Sequence, residues 1–214
     1  MANVYGSPKK ITMKAALFAA AVAALEQDGW KVSRVAGSGK SSVRRITKGK
    51  DSKVVSIRTT QDRSIAFPRV EGDKSWRTLD QVDAVVAASV DDKENPQFAN
   101  IHLLPGDEMR DRFNRTYEAR LKAGHTIPVG RGVWLSLYAN ESFNPVHHVG
   151  AGAGNKYPPF AKIPLDATAL ISADNEIDED EAKAEEGLTI AEAKRRLAIS
   201  LGVDPGNIKI IVEG

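Results

Sequence analysis

Val82–Val90 (VDAVVAASV) is a nearly continuous apolar run of strand length, and it constrains the fold of this chain more than any other segment. A strand with one wet face alternates apolar and polar residues, whereas a strand covered on both faces does not. The run therefore predicts a strand inside a mixed sheet, with apolar material on either side. The chain has 214 residues, 42% hydrophobic and 27% charged, which excludes a fibrous or wholly disordered polymer. A chain of this length buries roughly 70% of its unfolded surface, so a core without covalent staples is feasible. There is no cysteine, so disulfides, thiolate metal sites and cysteine nucleophiles are excluded. The longest other apolar run, Ala15–Leu25, is eleven residues and mostly alanine. A bilayer crossing needs about 20. Gln27-Asp28-Gly29 after it lacks the small-x-small pattern of a signal-peptide cleavage site, so a cytoplasmic protein with no membrane partner is the expectation.

Periodicity supplies the remaining elements. Thr12 is a candidate N-cap for a helix through Leu17, Phe18, Val22 and Leu25, closed by Gly29. The pattern then alternates: Trp30–Val35, Ser41–Thr47, Val54–Thr59 and Ser64–Pro68 read as strands, with turns at Gly37-Ser38-Gly39 and 48–51. Pro68 confines the fourth to an edge or a strand end. Ala99–Leu104 is the strand after the apolar run. Asp107 is expected to cap a helix whose Met109, Phe113, Tyr117 and Leu121 form one stripe, and Val133–Tyr138 is a further strand.

These elements describe an α+β chain: a mixed central sheet flanked by helices, with a helix–strand appendage at the C-terminus. Residues 1–140 form the main domain in this reading. Residues 141–187 are a Pro/Gly-rich and acidic linker, since Pro145, Pro158, Pro159 and Pro164 alternate with Gly150, Gly152 and Gly154 and no period survives. Residues 188–214 hold the appendage, opened by a capping box at Thr189 and Glu192 and ending in Ile208–Val212.

The formal net charge of +2 conceals an asymmetry. Residues 1–60 carry twelve Lys/Arg against three Asp/Glu, and residues 174–186 carry eight Asp/Glu against one Lys. Lys40, Arg44, Arg45, Lys48, Lys50, Lys53 and Arg58 fall on neighbouring strands and one turn, where four or five converging cations would read phosphates. Arg44 and Arg45 are adjacent on a strand and face opposite ways, so the seven cannot all share a surface. Only Trp30 and Phe67 are aromatic nearby, which favours contact with a duplex backbone over base stacking.

Motifs for other chemistries fail. Gly37-Ser38-Gly39-Lys40-Ser41 looks like a phosphate loop, but Arg34 stands where the motif's first glycine belongs and a strand follows where a helix is needed. His147-His148 are adjacent in a loop and lack the spacing of metal ligands. No nucleophile elbow or Ser-His-Asp order is present. Neither a cofactor nor a metal is implied.

The order of elements, a helix, a three-strand meander and then a helix between later strands, resembles the restriction-endonuclease-like PD-(D/E)xK core over about residues 10–138. Val54–Thr60 is similar to that family's third strand, which carries Glu-x-Lys. The resemblance implies a Mg²⁺ site built from a second-strand Asp and that Glu, with the Lys beside the phosphate. Here Ser41 or Ser42 stands for the Asp, Ser56 for the Glu and Arg58 for the Lys. A hydroxyl does not replace a carboxylate on a hard cation and Arg58 does not give up a proton. Glu26 on the first helix has a metal-site counterpart in some members, but alone assembles nothing. The expectation is a degenerate, non-catalytic fold that retains a nucleic-acid-binding face, with duplex DNA the expected ligand. One alternative is an interaction or inhibitor module docking a basic protein partner through the acidic segment and the C-terminal unit. The other is a metal-dependent nuclease with displaced acids such as Asp62, Asp73, Asp80 and Asp83.

Overall fold

The structure, a computed structural model, describes residues 8–35, 42–70, 75–128 and 130–165. All fall within one compact unit, Met1–Ile177. The 37–39 turn and the 188–214 unit lie outside the described residues, as do the acidic segment 174–186 and the linker from 166 on.

The protein is α+β. Helix α1 (Pro8–Gln27) leads into β1 (Lys31–Arg34), β2 (Val43–Lys48) and β3 (Asp51–Thr60), an antiparallel meander. After β4 (Ser64–Pro68) come β5 (Ala84–Val90) and β6 (Phe98–Pro105), then helix α2 (Gly106–Lys122), β7 (Gly132–Ser136), the short helix α3 (Ala153–Lys156) and β8 (Ala161–Pro164). A mixed six-stranded sheet runs β1-β2-β3-β5-β6-β8, in which only β3 and β5 are parallel. β4 and β7 form a separate antiparallel pair.

The apolar run is the strand expected of it. Every residue of β5 is buried. Ala84, Val86, Ala88 and Val90 meet α1, while Val85 and Ala87 face α2. On the first face α1 presents Leu17, Ala20, Ala21, Ala24 and Leu25, one stripe at helical spacing, against Ile46, Val55, Ile57 and Ile101. The alanines bring the helix axis close to the sheet, and Gly29 turns the chain back at a φ of +84°.

The second face is covered jointly by α2 and by the β4–β7 pair, a division of labour that periodicity alone did not suggest. Ile65 and Phe67 of β4, Val133 and Leu135 of β7, and Met109 and Phe113 of α2 all join Val43, Val85 and Leu104 of the sheet. The Phe113 ring lies edge-on to Phe67 at 5.2 Å and is tilted against Trp76 at 5.3 Å.

Two helix starts differ from expectation. α1 begins at Pro8, before Thr12. α2 begins at Gly106, with no side-chain cap at Pro105. The reason is close approach: Gly106 N–H bonds to the Asp83 carbonyl, and a Cβ on Gly106 would sit 2.8 Å from the Asp83 and Val82 oxygens. Strand β6 therefore runs straight into α2 with no room for a capping residue, and Asp107 lies in the first turn.

The segment read as the start of a linker, from residue 141, is instead built into the fold as far as Leu165. Its glycines and prolines carry no period because α2 orders them through side-chain bonds to their backbone. Arg112, buried, donates from Nη1 to the carbonyls of Gly150 and Ala151 and from Nε to Glu108 at 2.8 Å. Thr116 donates to the Val149 carbonyl. Glu141 accepts from Gly150 N–H and pairs with Arg115. Lys156 reaches back to Glu108 at 2.9 Å. Hydrogen bonds from Lys156 and Arg112 hold the Glu108 carboxyl below its usual range despite partial burial. Val149, Ala151 and Ala153 are buried as a result, and β8 extends the sheet by pairing with β6.

Gly150 is the point of closest approach. Its φ is +79°, and a Cβ would stand 2.5 Å from Thr116 Oγ1 and 2.6 Å from the Arg112 carbonyl. Gly150→Ala is therefore expected to cost on the order of 2–4 kcal/mol, from a forbidden backbone conformation plus overpacking; a denaturant midpoint unchanged from wild type would contradict this packing. By the same reasoning, a chain ending at residue 140 loses β8 and the buried 149–153 turn. It is expected to lose cooperative unfolding by calorimetry, and a sharp transition in that fragment would restore the shorter domain boundary.

Candidate nucleic-acid interface

The cations proposed from the sequence sit on a ribbon made of β1, β2 and β3. Between residues 31–35 and 42–60 this ribbon carries eight Lys/Arg against one carboxylate, Asp51. β1 is an edge strand, exposed along most of its length, and residues 48–52 around the β2–β3 turn are exposed throughout. The register sets which side chains are neighbours: Ser33 opposes Arg45, Arg45 opposes Val54, and Thr47 opposes Ser52.

The seven predicted residues divide. Lys40 lies outside the described residues. Arg44 is only 4% exposed: it points to the α1 side, where its guanidinium lies 5.1 Å from the Phe18 ring centroid and donates to the Val43 carbonyl. It is a packed residue and does not present a charge to a ligand, which corrects its place in the patch. Arg45 points to the opposite face, exposed, with Nη1 on Ser52 Oγ at 3.3 Å. Lys48 and Lys50 are exposed at the turn and Lys53 is half-buried beside them. Lys48 donates to the Asp28 carbonyl and lies 3.4 Å from the Asp28 carboxylate. Arg58 is half-buried on the α2 side, 4.4 Å from the Phe67 centroid.

Few aromatics lie near these cations in the sequence, and the fold adds Phe18 beside Arg44. Lys48 and Lys53 approach the same Trp30 ring, at 5.7 and 5.8 Å, and Trp30 Nε1 donates to Asp28. The rings therefore support the cation stems and are not laid open for stacking bases. The exposed cations divide between the two faces of the ribbon: Lys48 and Lys53 share the α1 side beside Trp30, Lys50 stands in the turn next to them, and Arg45 and Lys31 fall on the opposite side.

The positions aligned with the nuclease motif do not assemble. Ser56 is fully buried, among Val43 and Val85, and its hydroxyl has no hydrogen-bond partner. Ser42 is buried, and Ser41 lies outside the described residues. Glu26 is exposed on α1, across the sheet from Ser56 and Arg58, because alternation sends Val55 and Ile57 to α1 and Ser56 and Arg58 the other way.

The candidate displaced acids are engaged locally. Asp83 accepts the Val54 N–H and opens the parallel β3–β5 pair. Asp80 accepts the Trp76 N–H, and Asp62 accepts from Thr60 Oγ1 and Ser64 N–H. Asp73 lies outside the described residues. Among the described residues no group of three or more His, Asp or Glu could hold a metal ion, and no helix is long and apolar enough to cross a membrane.

A second polar cluster went unnoticed in the sequence. His102 on β6 is fully buried, with Nδ1 2.8 Å from the Tyr157 carbonyl and Nε2 2.8 Å from the Tyr138 hydroxyl. A histidine between Ile101 and Leu103 of a largely apolar strand is the available signal, but its partners come from more than thirty residues away.

The orphaned Ser56 hydroxyl generates a test. Removing a buried hydroxyl that bonds to nothing leaves a near-isosteric methyl, so Ser56→Ala is expected to stabilise the protein by about 1 kcal/mol in urea unfolding. Ser56→Glu, which rewrites the nuclease carboxylate, is expected to destabilise it instead. A stable Ser56→Glu protein that binds Mn²⁺ would reverse this description of the position.

Comparison with family models, with curated proteins and with solved structures gives no match to this chain.

Proposed function

We propose that this protein binds nucleic acid without cleaving it, gripping the phosphate backbone through the β1–β2–β3 ribbon. One observation carries the reading: Lys48, Lys50 and Lys53 are brought together by register and turn at a solvent-facing end of the sheet, with Arg45 exposed on the other face of the same ribbon and Asp51 and Asp28 the neighbouring carboxylates. Phosphate contacts of this kind position a duplex and carry no sequence information, so a non-specific or shape-led ligand is implied. Duplex DNA fits better than single strands, since Trp30 lies under its lysines. The likeness to nuclease cores rests on element order and supports the same class of ligand.

Each neutralised phosphate releases counterions, so affinity is expected to fall with salt at a log–log slope of roughly −0.9 per contact. With four contacts, a fourfold rise in salt weakens binding by on the order of a hundredfold. Reversing Arg45, Lys48 and Lys50 to Glu is expected to abolish binding without unfolding, since exposed charges contribute little to stability. Arg44→Glu is expected to unfold the α1 side instead. Fluorescence anisotropy with a labelled duplex, over several salt concentrations, measures the binding, and thermal unfolding followed by circular dichroism measures the stability of the variants; no binding at low salt by the wild type would end the nucleic-acid reading.

A further inference from the structure

We propose that His102 is a pH-sensitive latch, holding the segment from Tyr138 to Tyr157 on the sheet when neutral and releasing it when the ring is protonated. The geometry assigns the tautomer. A carbonyl only accepts, so Nδ1 carries the proton and donates to Tyr157; Nε2 is then the acceptor and receives the Tyr138 O–H. Both bonds are 2.8 Å, and the ring is fully buried. These two bonds tie β6 to the residue ending α3 and to the residue beyond β7, which are the two ends of the segment that α2 otherwise clamps.

Protonation reverses the Tyr138 bond: with both nitrogens donating, the hydroxyl has to turn and accept from Nε2, and its own proton loses the acceptor that the neutral ring supplied. It also places a charge on a ring that is fully buried, on the side of the sheet that already carries cations. The Arg63 guanidinium lies 4.2 Å from the Tyr138 ring centroid, and Leu137 N–H bonds to the Arg63 carbonyl. Arg58 stands in the same cross-strand row, since Arg58 pairs with Ala87 and Ala87 with His102. Lys156 precedes Tyr157, its ammonium on Glu108. β5 offers Ala87 and β8's approach offers Phe160, neither ionisable. Among the described residues the partners of the ring are a carbonyl and a hydroxyl, and the carboxylate of this neighbourhood, Glu108, is engaged by Lys156 and Arg112.

Burial pushes the His102 imidazole below its usual 6.5, against the Tyr157 carbonyl, which favours the protonated ring. A group whose folded value is depressed binds its proton more readily in the opened state. Its contribution is therefore complete above about 6.5 and is withdrawn as the pH falls below that value. Glu108 and Glu141, the acids of the same clamp, are held below the ordinary 4.5 and stay ionised through this window.

Hydrogen exchange on the full chain between pH 7.5 and 5.0, corrected for intrinsic rates, tests the latch. Peptides covering 138–157 are expected to lose protection by up to about tenfold per pH unit below 6.5, while α1 keeps its protection. His102→Gln, neutral throughout, is expected to remove this dependence. Should that variant fail to fold, Tyr138→Phe serves: it lowers protection at pH 7.5 and shrinks the further loss, because the neutral ring has lost its donor. A His147→Gln, His148→Gln double variant is expected to retain the wild-type profile. A flat wild-type profile over 138–157, or the same loss in His102→Gln, overturns the proposal.

Discussion

The pairing of β3 with β5 is the constraint that the rest of the molecule answers. It joins two strands parallel to one another in the middle of a sheet, and Val55 through Thr60 run in register with Ala84 through Ser89. Parallel strands are stable when both faces are dry. One face takes α1, whose alanines allow close contact. The other takes α2 with the β4–β7 pair leaning over it, closed by the Phe67, Trp76 and Phe113 rings. The junctions around this pair are tight for the same reason. Asp83 secures Val54 by backbone and side chain, and Gly106 passes over Asp83 with no space for a side chain.

A second level of organisation is ionic and belongs to α2. Arg112, Arg115 and Thr116 bind the backbone and the Glu141 carboxylate of a segment whose own sequence has no regular period, and Glu108 binds its Lys156. Burying a guanidinium is costly unless its donors are used, and Arg112 uses them on Glu108 and two carbonyls. Gly150 and Gly152 adopt positive φ so that those carbonyls can face the helix. This is how a Pro/Gly-rich stretch becomes core. His102 completes the attachment from the sheet side.

The proposed binding surface lies where the sheet leaves its helices. The β1–β2–β3 end carries cations on an edge that α1 covers on one side only. One ring, Trp30, lies beside both Lys48 and Lys53, and the Asp62, Asp80 and Asp83 carboxylates are spread along strand ends and turns, where they accept from backbone N–H groups. Catalytic geometry in a motif demands several side chains on one face. In this chain the alternation of β3 and the placement of α1 put Glu26 and Ser56 on different faces.

Most of the strands and both long helices were legible from the residues alone, because alternation and helical spacing are local properties of the chain. The all-apolar β5, the Leu17–Leu25 stripe and the opposed directions of Arg44 and Arg45 are of this kind. Which of two opposed faces is covered is not local. Only the docking of α1 decided that Arg44 lies beneath Phe18 while Arg45 meets solvent, and that Trp30 supports two lysines. The same holds for residues 141–165 and for His102, whose bonds reach across thirty to fifty-five positions and whose sequence surroundings carry no trace of their partners. Periodicity reports what a residue's neighbours along the chain require; a buried ion pair or hydrogen-bonded histidine is specified by neighbours that only folding supplies.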